Sequence, residues 1–542
     1  MRGRRRRSAR RSQLLVVLLV ASSAIGSLGV EAGSEQANGR RIAPAPEARR
    51  QPVSLRGSDL LAKVYDLILD ADFEPIDAAL KRACGPAPVE ACQVLEATAL
   101  WWRIQLDPHS RALDDEFTAS VERAIAATEA WTDRAPDSAE AWFYLGGAYA
   151  ARVQWRVLRD EKVAAARDGK RIKESLERAL VIDPDLDDAY FGIGMYRYYA
   201  AVAPAAARLL RFLLLLPGGN KEEGLEQMLR ARARGELLQG EADYQLHIVY
   251  LWYEQQTTRA LELLRDLRQQ YPGNPLFASQ IAEIEDTYEH DLTASLASWR
   301  TLLTQTLAGR VNEAESTEVR ARLAIARHLD TLAQTDEAID HLERIVSLKP
   351  AAPHSALALA YLHLGEAHDR LNARQEAMTA YRLAALAAPD GDPHHIKREA
   401  GERSRKTPNH RHAEAFRLSL TGWRQLERKE VTAAAATLGQ SVAMNERDPI
   451  ARYRFARALI ARRETAAARA QLESAIALSV KDARLCPPPI LGAIYLEVAQ
   501  LYERAGERDR AIGTYQTAAT LFGAGDETHR LAARAVARLR SR

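Results

Sequence analysis

The first residues whose type and spacing could support chemistry are four histidines, His394, His395, His410 and His412. Imidazole suits zinc and copper, so a loop folded back on itself could in principle gather them around a metal. Their spacing matches no metal motif, and the surrounding arginines and lysines repel a cation, so they read as a solvated loop. Paired carboxylates are the next candidates. Asp187-Asp188 and Glu222-Glu223 each fall in the first turn of a helical pattern, where negative charge favours the helix dipole without any catalytic duty. Gly218-Gly219 followed by Asn220 is a Gly-rich entry to a helix, a place where anions can bind. No strand precedes it and no Lys-Ser/Thr follows, so it reads as a tight turn. The chain has no H-E-x-x-H, G-x-S-x-G or G-x4-G-K-S/T string. No enzyme, metal site or cofactor is expected.

Three cysteines remain. Cys84 and Cys92 bracket a short Gly/Pro-containing stretch between two helical patterns and are candidates for a structural disulfide, with free thiols as the alternative. Cys486, beside Pro487–Pro489, reads as an unpaired thiol.

The elements that must position any binding residue are helices. Composition, 47% hydrophobic and 27% charged over 542 residues, is that of a folded protein. Apolar residues recur at helical spacing from about Ser58 to the end, and no run alternates as a strand would. Trp142-Phe143-Tyr144-Leu145-Gly146-Gly147-Ala148-Tyr149 fills the W-x2-L-G-x2-Y pattern. Gly422, Ala434, Leu438 and Ser441 return 34 residues on as Ala456, Ala468, Leu472 and Ala475. Three further sets fit the same slots: Ala326, Ala338, Ile345 and Pro350; Tyr361, Leu364, Gly365, Ala377, Tyr381, Ala384 and Pro389; Tyr495, Ala499, Tyr502, Ala511, Tyr515 and Ala518. Small residues are needed where two helices of a hairpin touch, and a larger one must plug the next hairpin. After Tyr149 the small residue Ala179 comes 14 positions late, about four helical turns. That spacing predicts a lengthened hairpin, Ala139–Arg159 against Glu161–Val181. Asn220 with Glu223 at the third helical position predicts a reciprocal cap.

These residues, over about 139–522, resemble the tetratricopeptide-repeat (TPR) family, here of an exported bacterial type. The resemblance implies an all-α fold, an α-solenoid of stacked antiparallel helix pairs wound as a TPR superhelix, and a scaffold role in binding proteins. On that geometry, Phe143, Phe191, Met195, Tyr198, Trp423, Tyr453, Arg457 and Gln500 line a concave partner-binding groove. Exposed aromatics and arginine are the types most often found at binding hot spots.

The organisation expected is a signal peptide over 1–32, a disordered leader over 33–55, an N-terminal helical region over 56–137, an irregular TPR solenoid over 138–389, a charged linker over 390–408, and C-terminal TPR repeats over 409–542. Arginines crowd residues 2–11 and an apolar stretch runs from Leu14 to Val30, the order of a secretory signal or a retained anchor. Both Sec and twin-arginine export remain open. Removing residues 1–32 takes seven arginines and one glutamate from a formal charge of +3, which leaves −3. The basicity belongs to that segment, and nucleic acid is not an expected partner. The leading reading is a non-enzymatic, exported, periplasmic scaffold with a protein or peptide partner in its groove. A membrane-peripheral assembly factor using the apolar 203–217 helix is the alternative, although core burial explains that helix more simply and its length cannot span a bilayer. An enzyme hidden in the irregular 200–310 region is the third reading. Partner identity and oligomeric state are not written in the sequence.

Overall fold

The structure, a computed structural model, describes residues 55–202 and 218–541. The expected signal segment, almost all of the expected leader and the apolar 203–217 stretch lie outside the described residues. The described residues form 24 α-helices and one π-helix, with no strand among them. The chain divides into two compact units, Met1–Gln255 and Gln256–Arg542.

The first unit opens with α1 (Ser58–Leu69), α2 (Ile76–Ala83), α3 (Val89–Leu106) and α4 (Asp114–Arg134). Cys84 and Cys92 are joined by a disulfide that ties the end of α2 to the start of α3. Next comes the long hairpin of α5 (Ala139–Leu158) and α6 (Lys162–Ile182), within a residue or so of the bounds expected from the late Ala179. Gly146 lets the two helices approach so closely that a β-carbon there would meet the Leu176 side chain at 2.7 Å. Farther along the hairpin, the buried Asp168 carboxylate accepts from Arg152 Nη2 at 2.8 Å and from Arg156 Nη1 at 2.7 Å. Then follow α7 (Ala189–Val202), α8 (Lys221–Arg234), α9 (Gln239–Ile248) and the π-helix (Val249–Tyr253). The Asn220 side chain accepts from the backbone N–H of Glu223, which is one half of the reciprocal cap expected for α8; the Glu223 carboxylate pairs with Arg197 instead.

The second unit begins with α10 (Thr257–Gln270), α11 (Pro275–Thr287) and α12 (Leu292–Leu307). Helix pairs follow: α13 (Ala314–Thr331) with α14 (Thr335–Leu348), and α15 (Ala356–Arg370) with α16 (Arg374–Ala387). After α17 (Ile396–Arg405), the pairs are α18 (His410–Glu427) with α19 (Val431–Met444), α20 (Pro449–Ala461) with α21 (Thr465–Lys481), and α22 (Pro488–Arg504) with α23 (Arg508–Thr520). A terminal helix, α24 (Asp526–Arg540), covers the last pair with Ala532 and Leu539. The repeat residues sit where the periodicity puts them. Ala338, Ala377, Ala384, Ala434, Ala456, Ala468, Ala475, Ala499, Ala511 and Ala518 are all buried.

Two features differ from the sequence expectation. The 390–408 stretch, expected as a charged linker, contains the ten-residue helix α17. Its Ile396 and Ala400, four residues apart and therefore on one face, are buried in a cluster with Tyr381 and Ala384 of α16. Arg403 pairs with Glu366 of α15, and Arg374 donates to the Ser404 carbonyl. The boundary between units lies instead after Gln255. The second feature is closure. Asp291 caps α12 by accepting from Thr293 and Ala294 N–H groups, and its other oxygen accepts from Asp526 N–H at the start of α24, 3.1 Å away. Beside it the rings of His290 and Phe522 lie 4.9 Å apart. The second unit therefore meets itself, from α12 round to α24.

Candidate partner-binding surfaces

In a stack of helix pairs the first helix of each pair lines the inner face. In the first unit those helices are α1, α3, α5 and α7, and their inner face is already occupied. Helix α9 is buried on nearly every side: Gly240, Glu241, Ala242, Tyr244, Gln245, Leu246, His247 and Ile248 are all in the interior. Three successive first helices each hold it. Tyr65 OH of α1 donates to Glu241 Oε2 at 3.1 Å, and Trp102 Nε1 of α3 donates to the same oxygen at 3.2 Å. Gln245 donates to Gln154 of α5 at 3.3 Å and to Glu241 Oε1 at 3.0 Å. The Trp102 and Tyr244 rings lie 4.9 Å apart. Burial raises the Glu241 carboxyl above its ordinary value, against three donors that favour the anion. Burial likewise pushes His247 down to about 3, so it is neutral at physiological pH.

This packing corrects part of the expected groove. Phe143 is 4% exposed, Phe191 7% and Tyr198 0%, so all three are core residues. For Tyr198 the cover is explicit: its hydroxyl donates to Glu254, and its ring meets Tyr253 at 5.9 Å, edge to face. Lys221 holds the other Glu254 oxygen at 3.0 Å. Met195 is half-buried in the same unit. The rule that assigns groove positions assumes a vacant groove, whereas here the π-helix covers Tyr198 and α9 is held by α1, α3 and α5.

The remaining expected residues come together in the second unit, along α18, α20 and α22. The Trp423 and Tyr453 rings stand 6.4 Å apart at 30°. Arg457 donates to Tyr453 OH at 3.4 Å and pairs with Glu497 at 3.0 Å. Gln500 is exposed three residues beyond Glu497, on the same helix face. Trp423, Tyr453 and Arg457 are half-buried, so this strip is solvent-facing but shaped.

Two arginines in this strip were not expected from the sequence. Arg424 forks onto the Asp336 carboxylate, Nε to Oδ2 at 2.5 Å and Nη2 to Oδ1 at 2.6 Å, and also reaches Glu337 at 2.7 Å. Burial alone would raise the Asp336 carboxyl, but the Arg424 bonds hold it below the usual range. Arg454 is buried under the Trp423 ring, 5.8 Å from its centroid. It donates to Ser419 Oγ at 3.1 Å and to the Ala333 carbonyl at 2.6 Å. No described carboxylate pairs with it, and burial pulls its guanidinium down to about 10. The signal that could have found them is the run of arginines at 424, 454 and 457 beside the groove positions. Their acceptors, the α13–α14 turn and the first turn of α14, lie far away in sequence.

The histidines stay apart from any such geometry. His395 precedes α17, while His410 and His412 lie in the exposed first turn of α18. Among the described residues no group of three or more His, Cys, Asp or Glu is placed to hold a metal ion. None of the described helices is long and apolar enough to cross a membrane. Cys486 is buried and free, its thiol pushed up to about 12 by burial.

No protein-family model matches the chain, and no curated protein matches it. Among solved structures it is similar to yeast Tom70, at 12% identity over 90% of this chain and 96% of that one, with a TM-score of 0.25. It is similar also to the Cut9–Hcn1 hetero-tetramer of the APC/C, at 13% identity over 89% and 90% of the two chains and a TM-score of 0.24. A third is the TPR domain of P58(IPK), at 13% identity over 83% and 98% and a TM-score of 0.22. The architecture itself rests on the helix pairing: the described residues form an α-solenoid of stacked antiparallel helix pairs.

Proposed function

We propose that this protein is an exported, periplasmic, non-enzymatic scaffold that holds a protein or peptide partner on the inner face of its C-terminal repeats. The observation that carries this reading is the strip of Trp423, Tyr453, Arg457 and Gln500, which combines half-exposed aromatics with arginine. Such residues supply most of the binding energy at protein interfaces. The burial of α9 against α1, α3 and α5 in the first unit favours the second unit as the docking surface. Export is supported by the basic and apolar start of the chain, and by the Cys84–Cys92 disulfide, a bond that persists in oxidising compartments.

A photo-crosslinking residue at Gln500, in the native envelope, tests the proposal, with one at the exposed Gly513 as control. A discrete protein adduct from position 500 that disappears in Tyr453→Ala/Arg457→Ala is expected. Equal labelling from both positions, or none from 500, would overturn it, as would recovery of the chain in the cytoplasmic fraction.

A further inference from the structure

We propose that the turn between α13 and α14 is a built-in competitor for the inner face of the second unit, and that the partner displaces it with an acidic segment. This rests on the reading of that face as the docking surface, and adds the chemistry of what docks there.

The chain already shows what the two arginines take. Arg424 holds three carboxylates: Asp336 in a two-point fork, Glu337 beside it, and Glu427 on its own helix. Two-point recognition of a carboxylate is what a planar guanidinium does best. Arg454 holds only a carbonyl and a hydroxyl, although a guanidinium has five N–H groups to give. A buried cation whose direct acceptors are both neutral, with Asp448, Asp336 and Glu427 acting on it only at longer range, is under-compensated. The turn therefore fills the site without completing it: Ala333 brings a carbonyl where an anion would do better. An incoming acidic segment can replace Asp336 and Glu337 at Arg424 and supply Arg454 with the carboxylate that the turn lacks.

The rim of the seat is open: the Asp336 and Glu337 side chains keep 37% and 36% of their surface exposed, whereas Ala333 and Arg454 beneath them are buried and are reached only when the turn lifts. The docked turn acts from within the same chain, so its effective concentration is high and a partner sees only the fraction of molecules in which it has lifted. Trp423 and Tyr453 flank the arginines and would carry the apolar part of the same ligand.

The test uses the full chain and a fluorescein-labelled octapeptide of alternating Glu and Ala, with its Gln-for-Glu counterpart. Asp336→Asn/Glu337→Gln weakens the turn's hold while preserving side-chain size. If the turn is seated in at least nine molecules of ten, this variant should bind the acidic peptide at least tenfold more tightly than the unaltered chain. Adding Arg424→Ala should abolish the gain, the Gln peptide should show none, and 0.5 M salt should suppress it. Peptide binding should also speed amide exchange over residues 331–340. Unchanged affinity in the double variant, equal gain for the Gln peptide, or exchange that slows in the turn would overturn the proposal. A partner that still crosslinks from Gln500 in that case would leave the scaffold reading standing and remove only the competing turn.

Discussion

Gly365→Ala offers the sharpest test of why these helices can pair at all. Gly365 lies on α15, and a β-carbon built there would fall 2.4 Å from Cε1 and 2.5 Å from Cδ1 of Tyr381 on α16. Carbon atoms do not approach so closely, so the ring must move. It has nowhere to go: Tyr381 is 1% exposed, and its hydroxyl donates to Asp369 Oδ2 at 2.9 Å. Overpacking of a dense core costs about 1–3 kcal/mol, and loss of the phenol hydrogen bond adds about 1. Against that, alanine is favoured over glycine in a helix by about 0.5–1 kcal/mol. The net is a loss of about 2 kcal/mol. Gly513→Ala on α23 is the matched control, because a β-carbon there meets nothing within 4 Å. It keeps only the helix gain and should stabilise by about 0.5–1 kcal/mol. Urea unfolding followed by circular dichroism should move the two midpoints in opposite directions. Tyr381→Phe in the Gly365→Ala background should give no rescue, since the clashing atoms are ring carbons, whereas Tyr381→Leu should recover part of the loss. Shifts of the same sign for Gly365→Ala and Gly513→Ala would refute the idea that small residues set the spacing between the paired helices.

Glu241 makes a prediction about pH. Its folded-state value is raised above the ordinary 4.5, so its contribution to stability is complete below that value and disappears as pH climbs through the folded one. The difference in unfolding midpoint between the native chain and Glu241→Gln should therefore shift against the native chain as pH rises from 4.5 to 7.5; a difference that stays flat, or moves the other way, would contradict the burial argument. Reducing the Cys84–Cys92 disulfide, which spans only 8 positions, should cost about 2 kcal/mol in the chain-entropy picture. A Cys84→Ala/Cys92→Ala variant with native stability would show that the loop is already fixed by its neighbours. Asn220→Ala should cost about 1 kcal/mol, appearing as faster amide exchange of Glu223 in the first turn of α8. Unchanged exchange there would mean that the cap is incidental.

Local arithmetic made much of this fold readable. The fourteen-residue delay before Ala179 gave the lengthened α5–α6 hairpin, because four whole turns leave the apolar face in register. Asn220 and Glu223 marked a helix start through a bond that closes within three residues. The five small-residue sets located the pairs of the second unit because crowding at a helix crossing acts on single positions.

What stayed hidden was non-local. Helix α9 mixes polar and apolar residues all round rather than segregating them, so its periodicity gives no hint that it lies inside the first unit. Phe143, Phe191 and Tyr198 occupy groove slots by number, yet that numbering cannot tell whether another part of the chain has filled the groove. In the 390–408 stretch, Ile396 and Ala400 are the apolar pair that makes α17, and surrounding charge masks them. Arg424 and Arg454 find their acceptors 88 and 121 residues away, distances over which no sequence pattern runs.

The meeting of Asp291 with the start of α24 constrains how this half of the chain can evolve. An open repeat array tolerates duplication or loss of a whole hairpin, because its free end simply moves outward. Here an inserted unit of about 34 residues would carry Asp526 away from the carboxylate that receives it, and a deleted one would leave a gap. Repeat number in the second unit is thus fixed by geometry, and diversification there must proceed by substitution rather than by copying.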